Sequence, residues 1–185
     1  AALGCIGMVF AVMGGGGCLF EPRSPQAPID SDVEWLPPYE TENVLANMES
    51  AVEARFLTNY KDSLDESFLF VPSLTDANEA PRPDYFDDFG KTRELAAIEK
   101  LFTQVDALAL EWNLEGVVIE DNGTTYKYKQ LGYSLTVDYA NGDEVVYAGD
   151  GVELELEKFG SEWRVIRWDE TDNSQLLTWG RLRAN

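Results

Sequence analysis

The chain has 185 residues, 44% of them apolar, with 34 acidic against 14 basic side chains and a formal charge of −20. That is enough for one domain with a core, and a surface this acidic is repelled by phosphate backbones, so no nucleic acid is expected as a partner. Histidine is absent, which removes the commonest general base and the usual zinc ligand, and no cofactor or metal is expected. The acidity serves solubility, with cation binding as the sharper alternative.

The chain opens on AALGCIGMVFAVM, uncharged and too short for a membrane span of about 20 residues. It suits the apolar region of a signal peptide. Gly14 to Gly17 then break any helix. Gly16-Gly17-Cys18 resembles the processing site of bacterial lipoprotein precursors, although Gly15 stands where that family usually has an aliphatic residue. The resemblance implies cleavage before Cys18 and its acylation, which makes the membrane a partner through lipid at Cys18. It places the protein in the bacterial cell envelope, extracytoplasmic, on the periplasmic face or the cell surface. Cys5 is a rival site, and an uncleaved anchor over Ala1 to Phe20 is the alternative. Both cysteines lie in this region, so neither a disulfide nor a thiol nucleophile is expected in the domain. Pro22, Pro25, Pro28, Pro37 and Pro38 favour an extended stalk. The expected organisation is a signal remnant over 1–17, a lipidated cysteine and stalk over 18–38, and one domain over 39–185.

Thr41 is a plausible N-cap, and Val44, Leu45, Met48, Ala51, Val52 and Phe56 recur at helical spacing, which predicts a helix over Glu42 to Arg55. A second helix is expected around Leu57 to Leu64, then a strand over Phe68 to Val71. Ser73 to Gly90 reads as a long loop, and Arg93 to Thr103 as a third helix with Leu95, Ile98, Leu101 and Phe102 inward. The period then changes to two. Leu108, Leu110, Trp112 and Leu114 predict a half-buried strand, and Asp121-Asn122-Gly123 a hairpin. Tyr126 and Tyr128 sit out of phase with Tyr133, Leu135, Val137 and Tyr139, so a bulge is expected near Gly132. Asn141-Gly142 and Gly160-Ser161 mark turns on either side of a strand bearing Val152, Leu154 and Leu156. Trp163 to Trp168 follows, and Leu176 to Leu182 is expected to close the sheet. Helices first and long antiparallel strands after them predict an α+β fold: a cone-shaped, strongly curved antiparallel sheet packed against three helices from the N-terminal half.

ENVLANMESAVEARFLTNYKDSLDESFLFV (Glu42 to Val71) and EWRVIRWDE (Glu162 to Glu170) make the chain resemble nuclear-transport-factor-2-like domains, which include ketosteroid isomerase, scytalone dehydratase and SnoaL-type cyclases. The likeness spans about Pro38 to Leu182. It implies the cone fold and, by analogy, a homodimer. Family catalytic residues do not carry over: Val71 stands where the isomerase has its carboxylate base, Asn47 or Met48 where it has its tyrosine, and the dehydratase's histidine has no counterpart. Fold does not transfer function without the site.

Several groups are candidates. Tyr60, Phe70, Trp112, Tyr133, Tyr139, Trp163, Arg167 and Trp168 are candidates for lining a ligand pocket, against plain core packing. Arg167 draws notice because a buried arginine needs a carboxylate or an anionic ligand. Glu111 and Glu115 are weighed as bases against a solvated outer face. Asp84, Asp87 and Asp88 are weighed as a cation site but lack calcium-loop spacing. Glu153, Glu155 and Glu157 read as a water-facing row near Arg164 and Arg167. The resulting expectation is a non-catalytic, lipid-anchored extracytoplasmic domain that binds a small apolar ligand or a protein partner, or serves as a scaffold. The alternative is an isomerase- or dehydratase-type enzyme using a buried carboxylate and a tyrosine.

Overall fold

The computed structural model describes residues 35–171 and 177–184. The expected signal remnant, Cys5, Cys18 and nearly all of the expected stalk lie outside the described residues. Two helices open the domain, α1 (Thr41–Glu53) and α2 (Leu57–Ser63). Strand β1 (Leu64–Val71), short α3 (Leu74–Glu79) and α4 (Lys91–Gln104) follow. Then come β2 (Val105–Asn113), β3 (Val118–Asp121), β4 (Thr125–Tyr139), β5 (Glu144–Phe159), β6 (Glu162–Asp169) and a last helix, α5 (Trp179–Ala184).

The strands form one curved, unclosed sheet in the order β1-β6-β5-β4-β2, with β3 paired to the first part of β4. The β1–β6 pair is parallel and the others are antiparallel. This is the α+β cone expected from the order of periods. Two points bend the long strands. Gln130 takes a left-handed φ of 61° and shifts the β4 register, so the bulge lies two residues before Gly132. Gly151, at φ 89°, turns β5 where a side chain would be strained.

Three local readings are corrected. Thr41 is inside α1 rather than its cap, and its hydroxyl accepts a bond from Tyr128 at 2.8 Å. The stretch Ser73 to Gly90 is not all loop. Ser73 caps α3 by accepting from the Asp76 amide, and Phe86 and Phe89 turn inward onto Phe70. Of the stretch expected to close the sheet, Leu176 lies outside the described residues, Leu177 lends only its carbonyl to the Ala148 amide of β5, and Trp179 to Ala184 is helical and enters the open end of the cone instead.

The chain is already fixed to the domain before Tyr39. Asn47, buried in α1, bonds both the amide and the carbonyl of Leu36, and the Pro38 carbonyl accepts from the Trp163 amide at 2.7 Å. Residues 35–38, at the end of the expected stalk, are thus bonded to the fold.

Candidate functional site

The α4 sequence places Lys91, Glu94, Ile98 and Leu101 on its buried face. Glu94 therefore points into the cone with no exposed surface. A carboxylate so buried needs partners, and it has three bonds. Tyr60 of α2 donates to Oε1 at 2.6 Å. Arg183 of α5 donates through Nη2 to Oε1 at 2.8 Å and through Nε to Oε2. The Arg183 guanidinium lies 3.8 Å from the centre of the Phe70 ring, and 5.1 and 5.2 Å from the Trp168 and Trp179 rings. Planar contact with aromatic faces and a two-pronged carboxylate bond are the two things a guanidinium does best.

A second carboxylate stands beside this pair. Glu170 follows β6 and is 7% exposed. Tyr133 donates to its Oε1 at 2.9 Å, while the same hydroxyl accepts from the Trp179 amide at 2.6 Å. Burial pushes the Glu170 carboxyl up to about 7, with Arg183 and Tyr133 working against the rise and Asp76 adding to it. Burial also raises Tyr133 and Tyr60 well above the ordinary tyrosine range, with Glu170 and Glu94 adding to the effect, so both remain protonated donors. The third carboxylate, Asp76, is buried where α3 meets α5 and accepts from Ser73 and Thr178.

Aromatic rings fill the space between these groups. Trp168 is 5.0 Å from Trp179, 5.6 Å from Trp112 and 5.7 Å from Tyr133, centre to centre. Gly149 makes room for Tyr133, because a Cβ there would overlap its ring. Among the described residues, Trp179 Nε1 and Arg183 Nη1 are buried at this end of the cone with no hydrogen-bond partner, and Trp168 Nε1 and Glu170 Oε2 have no well-formed one, the indole making only a loose bond to the Glu170 carboxyl that counters its rise. A cleft of about 350 Å³, lined by Tyr85, Phe89, Arg93, Ala97, Leu182 and Arg183, opens beside α5.

Of the sequence candidates, Tyr60, Phe70, Trp112, Tyr133 and Trp168 meet in the cone. Trp163 packs elsewhere, against Tyr126 under Lys158. Tyr139 bonds Tyr147 at 3.1 Å near the far end of β4. Arg167 is half-exposed and bonds Asp169. The cause is an irregularity in the β5–β6 register: Val165 pairs with Leu156 and Arg167 with Glu155. It turns Trp168 inward along with Val165 and leaves Arg167 on the outer face with Glu155. Glu111, Glu115, Asp84, Asp87 and Asp88 are exposed, and Asp84 pairs with Arg82. Glu153 and Glu155 bond Lys127, and Glu157 pairs with Arg164 across the strands. Among the described residues no acidic or cysteine cluster could hold a metal ion.

The sequence reading missed Glu94, Glu170, Asp76 and Arg183. Glu94 was detectable, since it lies four and seven residues before Ile98 and Leu101 on one helical face. Arg183 was not, because nothing local shows that a C-terminal turn enters the cone.

No protein-family model and no curated protein sequence matches the chain. Solved structures do match in fold. A conserved protein from Planctomyces limnophilus has a TM-score of 0.55 at 16% identity, over 71% of this chain and 91% of its own. A nuclear-transport-factor-2-like protein from Cytophaga hutchinsonii has a TM-score of 0.52 at 13% identity, over 72% and 95%. A scytalone dehydratase candidate from Novosphingobium aromaticivorans has a TM-score of 0.56 at 11% identity, over 70% and 78%. At such identities the likeness concerns the fold, which is nuclear-transport-factor-2-like. No helix among the described residues is long and apolar enough to cross a membrane.

Proposed function

We propose that the protein is a non-catalytic binding domain of the cell envelope, lipid-anchored through Cys18 and extracytoplasmic, whose binding site is the cone. The occupant is a small ligand with an apolar body or a segment of a protein partner. The supporting observation is the arrangement around Arg183 and Trp179, where aromatic walls and paired carboxylates enclose a side chain rather than presenting a free base to a cavity. Lipid at Cys18 is tested by its replacement with Ala, which should abolish metabolic labelling by fatty acid and release the protein from membranes.

Binding is tested by thermal melting of the full chain, purified in detergent, with a panel of aromatic and aliphatic compounds. Saturable rises in Tm without conversion of the compound support this reading. No rise with any member counts against it.

The second reading, an isomerase or dehydratase, draws on one feature: the Glu170 carboxyl, raised to about 7 beside the Tyr133 hydroxyl. A carboxyl poised near neutrality suits proton transfer. Turnover of a bound compound that is lost in Glu170→Gln favours this reading over the first.

A further inference from the structure

We propose that the cone is a guanidinium-binding cage, that Arg183 is its occupant from within the chain, and that its exchangeable ligand is an organic guanidinium with an aromatic or apolar body. The inference rests on the binding reading above and names the ligand class of that same site.

With α5 set aside, the walls are Phe70, Trp112, Trp168 and Tyr133, and the buried carboxyl groups are those of Glu94, Glu170 and Asp76. The neighbouring cations are directed elsewhere. Lys91 donates to the Leu64 carbonyl and to Glu66. Arg93 donates to the Tyr85 and Asp87 carbonyls. What remains is an anionic, aromatic enclosure. Such a site attracts an organic cation, and the forked bond on Glu94 beneath the Phe70 face selects a planar guanidinium over a compact ammonium.

α5 is also bonded to Tyr85, Tyr133 and Glu79, and it is a removable occupant on two grounds. Six residues are too few to be helical alone, so docking holds them in shape. It also satisfies the cage incompletely, since Trp168 Nε1 and Glu170 Oε2 stay without a well-formed bond with it in place. Buried polar atoms without partners are unfavourable, so a guanidinium ligand that donates to Glu170 Oε2 and offers an acceptor to Trp168 Nε1 can bind where α5 now lies. The cleft beside Leu182 and Arg183 is the way in.

Two measurements test this on the full chain. In Arg183→Ala, millimolar methylguanidine should raise Tm by several degrees and saturate, whereas methylammonium should not, and added Glu94→Gln should abolish the rise. If Arg183→Ala folds only when methylguanidine is present, that also supports the cage, and failure to fold even then overturns it. In the unsubstituted chain, acetyl-tryptophanyl-arginine amide should speed hydrogen exchange of residues 179–184 in proportion to its binding, and the arginine-free analogue should not. Rescue without that release marks Arg183 as a structural ion-pair partner only and overturns the proposal. Apolar compounds that stabilise the unsubstituted chain, with methylguanidine inert on Arg183→Ala, would overturn the guanidinium assignment while leaving the binding reading standing.

Discussion

Arg183 and Glu94 are 89 positions apart in the chain, and their side chains meet through two hydrogen bonds, with 3% and no exposed surface respectively. A pair so enclosed is strongly coupled, because removing one member strands the other's charge away from water. Glu94→Leu alone should cost about 3–5 kcal/mol. Glu94→Leu with Arg183→Met should recover most of that loss. Chemical denaturation of the four members of the cycle checks this, and additive losses would show the pair to be uncoupled.

The Glu170 carboxyl makes stability fall with rising pH in a defined window. Its value is raised from 4.5 to about 7 by burial, so the folded chain holds this proton more tightly than the unfolded one. The contribution is whole below the unfolded value and is lost as pH rises through the folded one, by roughly 3 kcal/mol in total. Glu170→Gln should flatten this slope and leave the protein more stable than the parent at pH 8. Denaturation midpoints between pH 4.5 and 8 provide the test.

Trp179 closes the aromatic cluster against Trp168 and Tyr133. Trp179→Ala should cost about 3–5 kcal/mol through the space it leaves, and it should expose the remaining cone tryptophans to added quencher. Unchanged quenching would mean that α5 does not shield the cone in solution.

Gly149 allows Tyr133 to lie against β5. Gly149→Ala should cost about 1–3 kcal/mol by overpacking and tilt Tyr133 away from Glu170. A shift of the Glu170 titration toward a higher value, followed by carbonyl infrared bands, would report the lost bond.

The fold was legible in the sequence because its signal is repetitive. Helical spacing from Val44 to Val52 and alternation from Leu108 to Trp112 and from Val152 to Leu156 correspond to α1, β2 and β5. The site was legible only in part. Tyr60, Phe70, Trp112, Tyr133 and Trp168 are large rings on those periodic faces, so periodicity finds them. Arg167 was misleading because a register irregularity, invisible to a simple alternation, reverses the face after Val165. Arg183 depends on contacts of α5 with Glu94 of α4 and Phe70 of β1, and Asp76 on a bond from Thr178, just before α5 and over a hundred positions away. No local pattern carries such a contact.

The most direct measurement is a crystal structure of the full chain with acetyl-tryptophanyl-arginine amide. The ligand's guanidinium should lie against the Phe70 face, bonded to both oxygens of Glu94, with Arg183 and α5 withdrawn from the cone. Arg183 still seated on Glu94, with the ligand elsewhere or absent at saturating concentration, would contradict the guanidinium cage.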